Sequence, residues 1–312
     1  MIKSFCKINL SLRVLNKTKK GLHNIQTNTV QLNLCDEIFV KKIDDKKDII
    51  IFKGKFKKNI FKNNNIIVTG GAGGIGSATC ELFLNYSANV YLIDKDKEKI
   101  TKIKKELKHP KLKTFNLDIT SEKDVKNFYT KIANKKLNVH HLINNAGVAT
   151  LNLCKDLSVK EWDLVMSVNL KGMFLMTKHA IPLFKKGSSI LNISSQAARR
   201  AQKFTAHYNA SKMGVIGFTR ALALELAPDV RVNAISPGTI GTDMINNEIN
   251  WRIKHGWDKS KYDVEKDWLD RIPLGRYQMP DNIAKAIVTV CSNQFSETTG
   301  ETINVSGGAV ME

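Results

Sequence analysis

The rhythm of hydrophobic and polar positions changes near residue 64. Before that point apolar and polar residues alternate, as in Lys7-Ile-Asn-Leu-Ser-Leu-Arg-Val-Leu15 and Glu37-Ile-Phe-Val40, with polar turn residues from Asn16 to Gly21. A period of two broken by turns predicts β-hairpins. After it, short apolar runs alternate with helix-length segments. Asn65-Ile-Ile-Val-Thr69 ends in glycines and leads into a helical stretch through Asn85, then into a second strand from Asn89 to Ile93. Further strands are expected at Leu112 to Leu117, His141 to Asn144, Ser189 to Ile193, Arg231 to Ile235 and Thr302 to Val305, each preceded by a helix-length segment. Such alternation predicts an α/β fold with a doubly wound parallel sheet over residues 63–312, carrying a short β-hairpin-like appendage over residues 1–62.

Composition adds bounds rather than a function. The net charge of +20, from 49 Lys and Arg against 29 Asp and Glu, would invite nucleic acid if it were gathered on one face. The excess is lysine, it accompanies heavy use of Asn and Ile, and it is spread along the chain, so no nucleic-acid partner is expected. Cys6, Cys35, Cys80, Cys154 and Cys291 lie far apart and form no CxxC pair, which suggests neither a zinc site nor a disulfide framework. Lys3, Lys7, Asn9 and Arg13 interrupt the N-terminal apolar residues, and no stretch approaches the length of a membrane span. A cytoplasmic protein without metal or membrane partner is the expectation.

The first chemistry-bearing segment is Thr69-Gly-Gly-Ala-Gly-Gly-Ile-Gly76, with Gly70, Gly74 and Gly76 between a strand and a helix. Glycine suits a tight turn at which a pyrophosphate approaches the backbone and meets the N–H groups opening a helix. Asp94 ends the second strand eighteen positions after Gly76, where a carboxylate would accept hydrogen bonds from a ribose 2′-hydroxyl. Its charge would repel a 2′-phosphate and no Arg follows closely, so NAD is favoured over NADP. Asp94 would equally serve as the N-cap of a helix from Lys95 to Leu107.

The second is Tyr208-Asn-Ala-Ser-Lys212, at the start of a helix running to about Leu226. A spacing of four puts both side chains on one helix face, where an ammonium would lower the phenol pKa from about 10 toward a working pH and prepare it for proton exchange with a substrate hydroxyl. Ser195, thirteen positions before Tyr208, would hold the substrate oxygen; Ser194 is its rival.

With these residues in order, together with Asp118 in Leu-Asp-Ile-Thr, Asn144-Asn-Ala-Gly147, Asn169 in Val-Asn-Leu and Pro237-Gly238 followed by Thr242, residues 65–312 resemble a short-chain dehydrogenase/reductase of the ordinary length, a Rossmann-fold oxidoreductase. The resemblance implies Gly70, Gly74, Ile75 and Gly76 at the pyrophosphate, and Asp118, Ile119, Asn145, Ala146 and Gly147 toward the adenine end. It implies Pro237, Gly238 and Thr242 near the nicotinamide, with Tyr208 and Lys212 touching the cofactor as well. Asn169, Ser195, Tyr208 and Lys212 would be the catalytic set, Asn169 holding a water that relays protons to Lys212. Asn145 and Gly147 would equally shape a turn, and Asn169 would equally cap or kink its helix. The family also implies a small-molecule alcohol or ketone as substrate, and a homo-oligomer, tetramer or dimer.

Substrate choice in the family follows the segment after the Pro-Gly pair, here about 239–276. Trp251, Trp257, Tyr262 and Trp268 suggest a helical lid, its rings packing on the body or on another subunit, or meeting the substrate. Ser195-Gln-Ala-Ala-Arg-Arg200 is similar to the matching stretch of sorbitol-type polyol dehydrogenases and their acetoin/butanediol relatives, with Gln196 and Arg199 adding polar reach. The expectation is therefore an NAD-dependent polyol or diol dehydrogenase, with a 3-oxoacyl thioester reductase as alternative. Residues 1–60, through Cys6 to Leu15, Gly21-Leu-His-Asn-Ile-Gln-Thr27 and Leu34-Cys-Asp-Glu37, resemble the N-terminal β-region of the 4-diphosphocytidyl-2-C-methylerythritol kinases of the GHMP class. That resemblance implies contact roles for Lys7 and His23 in a truncated, inactive kinase fragment, joined either by gene fusion or by an erroneous join of sequence fragments.

Overall fold

The computed structural model describes residues 60–311 and, ahead of them, the backbone of four strands; the side chain of Asp243 falls outside the description. The chain divides into two compact units, Met1–Ile60 and Phe61–Glu312. In the first, β1 (Lys7–Lys17) pairs antiparallel with β2 (His23–Gln31), and β3 (Ile38–Val40) pairs antiparallel with β4 (Ile50–Phe52). The alternating pattern thus does form antiparallel pairs, with register shifts between Asn9 and Ser11 and between Val14 and Lys17. The side chains of Lys7 and His23 lie outside the described residues.

The second unit holds seven strands, β5 (Asn65–Thr69), β6 (Asn89–Asp94), β7 (Leu112–Asn116), β8 (Val139–Asn144), β9 (Phe184–Ile193), β10 (Val230–Pro237) and β11 (Thr302–Val305). They form one parallel sheet in the order β11-β10-β9-β8-β5-β6-β7. Between them run α1 (Gly74–Asn85), α2 (Lys97–Leu107), α3 (Glu122–Asn134), α4 (Val159–Met166), α5 (Met173–Ala180), α6 (Ala206–Leu226), α7 (Asp243–Lys254), α8 (Lys261–Leu269) and α9 (Pro280–Cys291). No described helix is long and apolar enough to cross a membrane.

Side chains alternate across a strand, and here both directions are apolar. Ile66 and Val68 join Phe83, Leu92 and Ile287 in one core layer, whereas Ile67 joins Ile93, Phe128, Leu142 and Met176 in the other. Each layer is closed by helices, so the sheet is doubly wound as the sequence predicts. The order reverses at β5, which lies between β6 and β8; the crevice beyond the carboxyl ends of β5 and β8 is where such folds take ligands.

Two local features differ from expectation. Asp96, not Asp94, caps α2, accepting from the backbone N–H groups of Glu98 and Lys99 at 3.1 and 3.0 Å. Phe61 is 2% exposed and sets its ring edge-on to Phe83, with centroids 5.0 Å apart, so this unit includes a residue ahead of the expected boundary at 63.

Candidate active site

At Gly70 and Gly76 the glycine loop has no room for a side chain. Gly70 has a positive φ of 62°, and a Cβ on Gly76 would stand 2.1 Å from the Gly70 carbonyl oxygen. The first turn of α1 contains no acidic residue, and its opening N–H groups at Gly74, Ile75 and Gly76 lack intrahelical acceptors. Asn145 braces the loop from β8: its Nδ2 donates to the carbonyls of Thr69 and Gly70 at 3.0 and 3.1 Å, while Thr69 Oγ1 accepts from the N–H groups of Asn145 and Ala146. Asn145 therefore shapes the turn and holds the cradle in one act.

The Asp94 carboxylate is anchored by both oxygens, Oδ2 accepting from Ala72 N–H at 3.1 Å and Oδ1 from Asp96 N–H at 3.0 Å. A cleft runs from Gly70 and Asp94 past Asp118 and Ile119 to Asn145, Ala146 and Gly147. Asp118 accepts from Thr120 N–H and Oγ1, and buried Ile119 fits against Gly172, where a Cβ would lie 2.7 Å from its side chain. Lys95 and Lys99 line the same cleft and bring positive charge to it where no arginine stands. The glycine cradle, the donor-rich helix start and the anchored carboxylate fit the pyrophosphate and adenosine ribose of a dinucleotide.

Thr242 lines this cleft and a second one, and Pro237 and Gly238 at the end of β10 line the second. Around it stand Ser195, Tyr208 and Lys212. Lys212 is buried and its Nζ, 5.6 Å from the centroid of the Tyr208 ring, donates to the carbonyl of Ile193 at 2.8 Å. Ser194 Oγ donates to the carbonyl of Lys212 at 2.9 Å, which turns it toward α6. Ser195 hydrogen-bonds Tyr208 and accepts from Ala197 N–H at 3.1 Å.

Electrostatics here departs from the expected pattern. Burial raises the half-buried Tyr208 phenol above its ordinary value; the Ser195 hydrogen bond opposes this and the Glu248 charge adds to it. Lys212 is not among the causes of the Tyr208 shift, and burial brings the Lys212 pKa itself down to about 8.

Asn169 sits in a π-helical turn, Ser167–Gly172, between α4 and α5. Such a turn inside a longer helix commonly marks a functional position. Its Nδ2 donates to Val148 O and Ser211 Oγ at 2.9 and 3.0 Å, and its Oδ1 accepts from Val148 N–H at 2.8 Å. The side chain thus ties the loop after β8 to α6. A Cβ on Gly147 would lie 3.3 Å from Lys212 Nζ and 3.4 Å from Asn169 Oδ1, so a side chain there would press on both.

The lid is helical, formed by α7 and α8. Its rings pack mainly on the body: Trp251 and Trp257 lie 5.1 and 4.6 Å from the Phe204 ring, and Trp251 stacks on His255. Tyr262 is exposed. What α7 presents to Tyr208 is instead Met244, Ile245, Asn247 and Glu248. Gln196 lines the cleft and Arg199 does not. Glu248 carried no sequence signal, since its relation to Tyr208 exists only once the lid is folded over the sheet.

A family model described as enoyl-(acyl carrier protein) reductase matches residues 70–310. The 3-oxoacyl-(acyl-carrier-protein) reductase of Thermotoga maritima is 34% identical, covering 78% of this chain and 97% of its own length. The NAD-dependent glycerol dehydrogenase of Listeria innocua is 33% identical, covering 84% and 99%. Among solved structures, a glucose/ribitol dehydrogenase-type short-chain enzyme of Brucella melitensis superposes with a TM-score of 0.74 at 34% identity, over 82% of this chain and all of its own. A 3-ketoacyl-(acyl-carrier-protein) reductase of the same organism, complexed with NADH, gives 0.70 at 29% identity, over 80% and 99%. None of these is a kinase, and the kinase-like reading of residues 1–60 gains no support from them. Their agreement along nearly their whole lengths places this chain in the short-chain dehydrogenase/reductase family, as an oxidoreductase that acts on CH–OH groups with a nicotinamide cofactor.

Proposed function

We propose that the chain is a ketone reductase of the 3-oxoacyl thioester class, and that Tyr208 is its proton donor. The observation that carries the reading of Tyr208 is the Ser195–Tyr208 hydroxyl pair at the cleft, with burial and Glu248 raising the phenol above its ordinary value. Relatives named for 3-oxoacyl reduction support the substrate class and shift the weight away from the polyol reading of Ser195 to Arg200.

A bound nicotinamide cofactor supplies the hydride to the ketone carbon. Ser195 donates a hydrogen bond to the ketone oxygen, and Tyr208 delivers its proton there as negative charge develops. The Lys212 ammonium stands 5.6 Å from the centroid of the Tyr208 ring and lends positive charge to the site. Asn169 holds Val148 and Ser211 in place around this group. At the other end Gly70, Gly74, Ile75 and Gly76 take the pyrophosphate, Asp94 the ribose hydroxyls, and Asp118, Ile119 and Asn145 to Gly147 the adenine side. Pro237, Gly238 and Thr242 flank the nicotinamide. Asp94 favours NAD over NADP, its two anchors fixing a carboxylate where a 2′-phosphate would have to go.

A second reading, an NAD-dependent polyol or diol dehydrogenase, is favoured by that same Asp94 and by the glycerol dehydrogenase relative. The deciding experiment compares acetoacetyl thioester reduction with oxidation of glycerol, sorbitol and 2,3-butanediol, each with both cofactors. A kcat/KM for the thioester at least about tenfold above every alcohol supports the first reading; the opposite order establishes the second.

A further inference from the structure

The lid carries into the cleft a carboxylate that hydride and proton transfer do not require. Glu248 on α7 is 15% exposed in its side chain and lines the cleft shared by Ser195 and Tyr208. It also lines an adjoining cleft, together with Gln196, Gln202 and Thr239. Its partner is Arg252, one helical turn on, whose Nη1 is 3.8 Å from Glu248 Oε1 and so beyond hydrogen-bond distance. The other guanidinium nitrogens bind Asp258, Nε at 2.7 Å and Nη2 at 3.3 Å. Among the described residues no hydrogen bond reaches the Glu248 carboxylate. Gln196 repeats the situation on the body side: Nε2 donates to Thr239 Oγ1 at 3.3 Å, while the buried Oε1 has no partner.

The buried Gln196 Oε1 lacks a donor and the partly exposed Glu248 carboxylate lacks a hydrogen bond, so a ligand that brings donors into the cleft they border serves both. Burial raises the Glu248 pKa, with Arg252 opposing, as expected of a carboxyl whose hydrogen bonds are incomplete.

We propose that Glu248, with Gln196, is a substrate-specificity residue that accepts a hydrogen bond from a donor group carried a few bonds from the reacting ketone. Two sources offer that chemistry: the amide N–H in the arm of an acyl thioester, and a hydroxyl next to the ketone in a polyol-derived substrate. The inference rests on the reading of Tyr208 as proton donor to a ketone.

The test measures kcat/KM for two matched ketone pairs with the full-length protein and its Glu248→Gln and Glu248→Leu variants. The first pair is acetoacetyl-N-acetylcysteamine and S-butyl acetothioacetate, which lacks the amide; the second is acetoin and 2-butanone, which lacks the hydroxyl. In one pair, Glu248→Leu is expected to cut the preference for the donor-bearing member about tenfold. Glu248→Gln, which keeps an acceptor oxygen, retains most of that preference, and the pair that responds names the donor. Equal losses on both members of each pair, or unchanged preferences, overturn the inference while leaving the reaction standing. Failure of the unaltered protein to reduce any of the four ketones overturns both.

Discussion

Lys212 and Ile193 are joined by a hydrogen bond of 2.8 Å, from a buried ammonium to the carbonyl at the end of β9. A second bond runs the other way between the same segments, from Ser194 Oγ to the carbonyl of Lys212. Together they fix β9 against α6 and leave Ser195, the next residue along, to hydrogen-bond Tyr208. Lys212 is thus held by a backbone carbonyl rather than by another catalytic candidate.

That arrangement makes Lys212 a stability liability. Burial lowers its pKa from 10.5 to about 8, so the fold bears the cost of a desolvated ammonium at every pH below about 8, and the cost fades as pH rises from 8 toward 10.5. Lys212→Met is expected to raise the unfolding free energy at pH 7 by on the order of 1–2 kcal/mol, partly offset by the orphaned Ile193 carbonyl, and to cut turnover by at least about a hundredfold. Urea unfolding at pH 7 and pH 10 checks this: the gain shrinks at the higher pH, and a gain equal at both would remove burial as its cause.

Tyr208→Phe keeps the ring against Lys212 and removes only the hydroxyl. Turnover is expected to fall by about a thousandfold, within the range that general acids contribute, while the dissociation constant for the nicotinamide cofactor changes less than about threefold. Fluorescence titration and steady-state kinetics separate the two effects. Turnover within tenfold of the parent would assign the proton to another group.

The repeating strand and helix pattern was legible where a short apolar strand runs directly into a glycine turn and a helix, as at Asn65–Thr69 with Gly70. The glycine loop and the Tyr208/Lys212 spacing were legible because backbone sterics and helix periodicity act within a few residues. Relations created by folding were not. The π-turn at Ser167–Gly172 has no distinctive local pattern, so the bonds of Asn169 to Val148 and Ser211 could not be foreseen. Asp94 and Asp96 are both suitable caps, and only the position of Ala72 N–H decides between them. The tryptophans of the lid were visible as a group, but their docking on Phe204 depends on a contact across some fifty residues.

Asp94→Ala tests the cofactor end. The change removes a charge held on two backbone N–H groups and leaves Lys95 and Lys99 lining the cleft. The ratio of kcat/KM for NADH over NADPH is expected to fall by about 10- to 100-fold, the equivalent of one or two charge-assisted hydrogen bonds. A ratio that does not move would take the ribose contact away from Asp94.

Gly76→Ala places a Cβ 2.1 Å from the Gly70 carbonyl oxygen, and the obstruction is backbone that cannot turn aside. The loop must open to admit it. A loss of about 3 kcal/mol in stability is expected, along with loss of the thermal shift that a nicotinamide cofactor gives the parent protein. Retention of both would mean that the loop has another stable form.

Phe61 gives the clearest test of where the dehydrogenase unit begins. Its ring is 2% exposed, meets Phe83 and His141 edge-on with centroids 5.0 and 5.3 Å away, and belongs to the core layer containing Val68 and Leu92. Phe61→Ala leaves a ring-sized gap among side chains fixed by the sheet and α1, which have little freedom to collapse. A loss of about 3–4 kcal/mol is expected, whereas Ile60→Ala, at a position 46% exposed, changes stability by less than about 0.5 kcal/mol. Thermal unfolding of the two full-length variants, followed through cofactor binding, measures the contrast. If both substitutions proved equally mild, the unit would begin after residue 61.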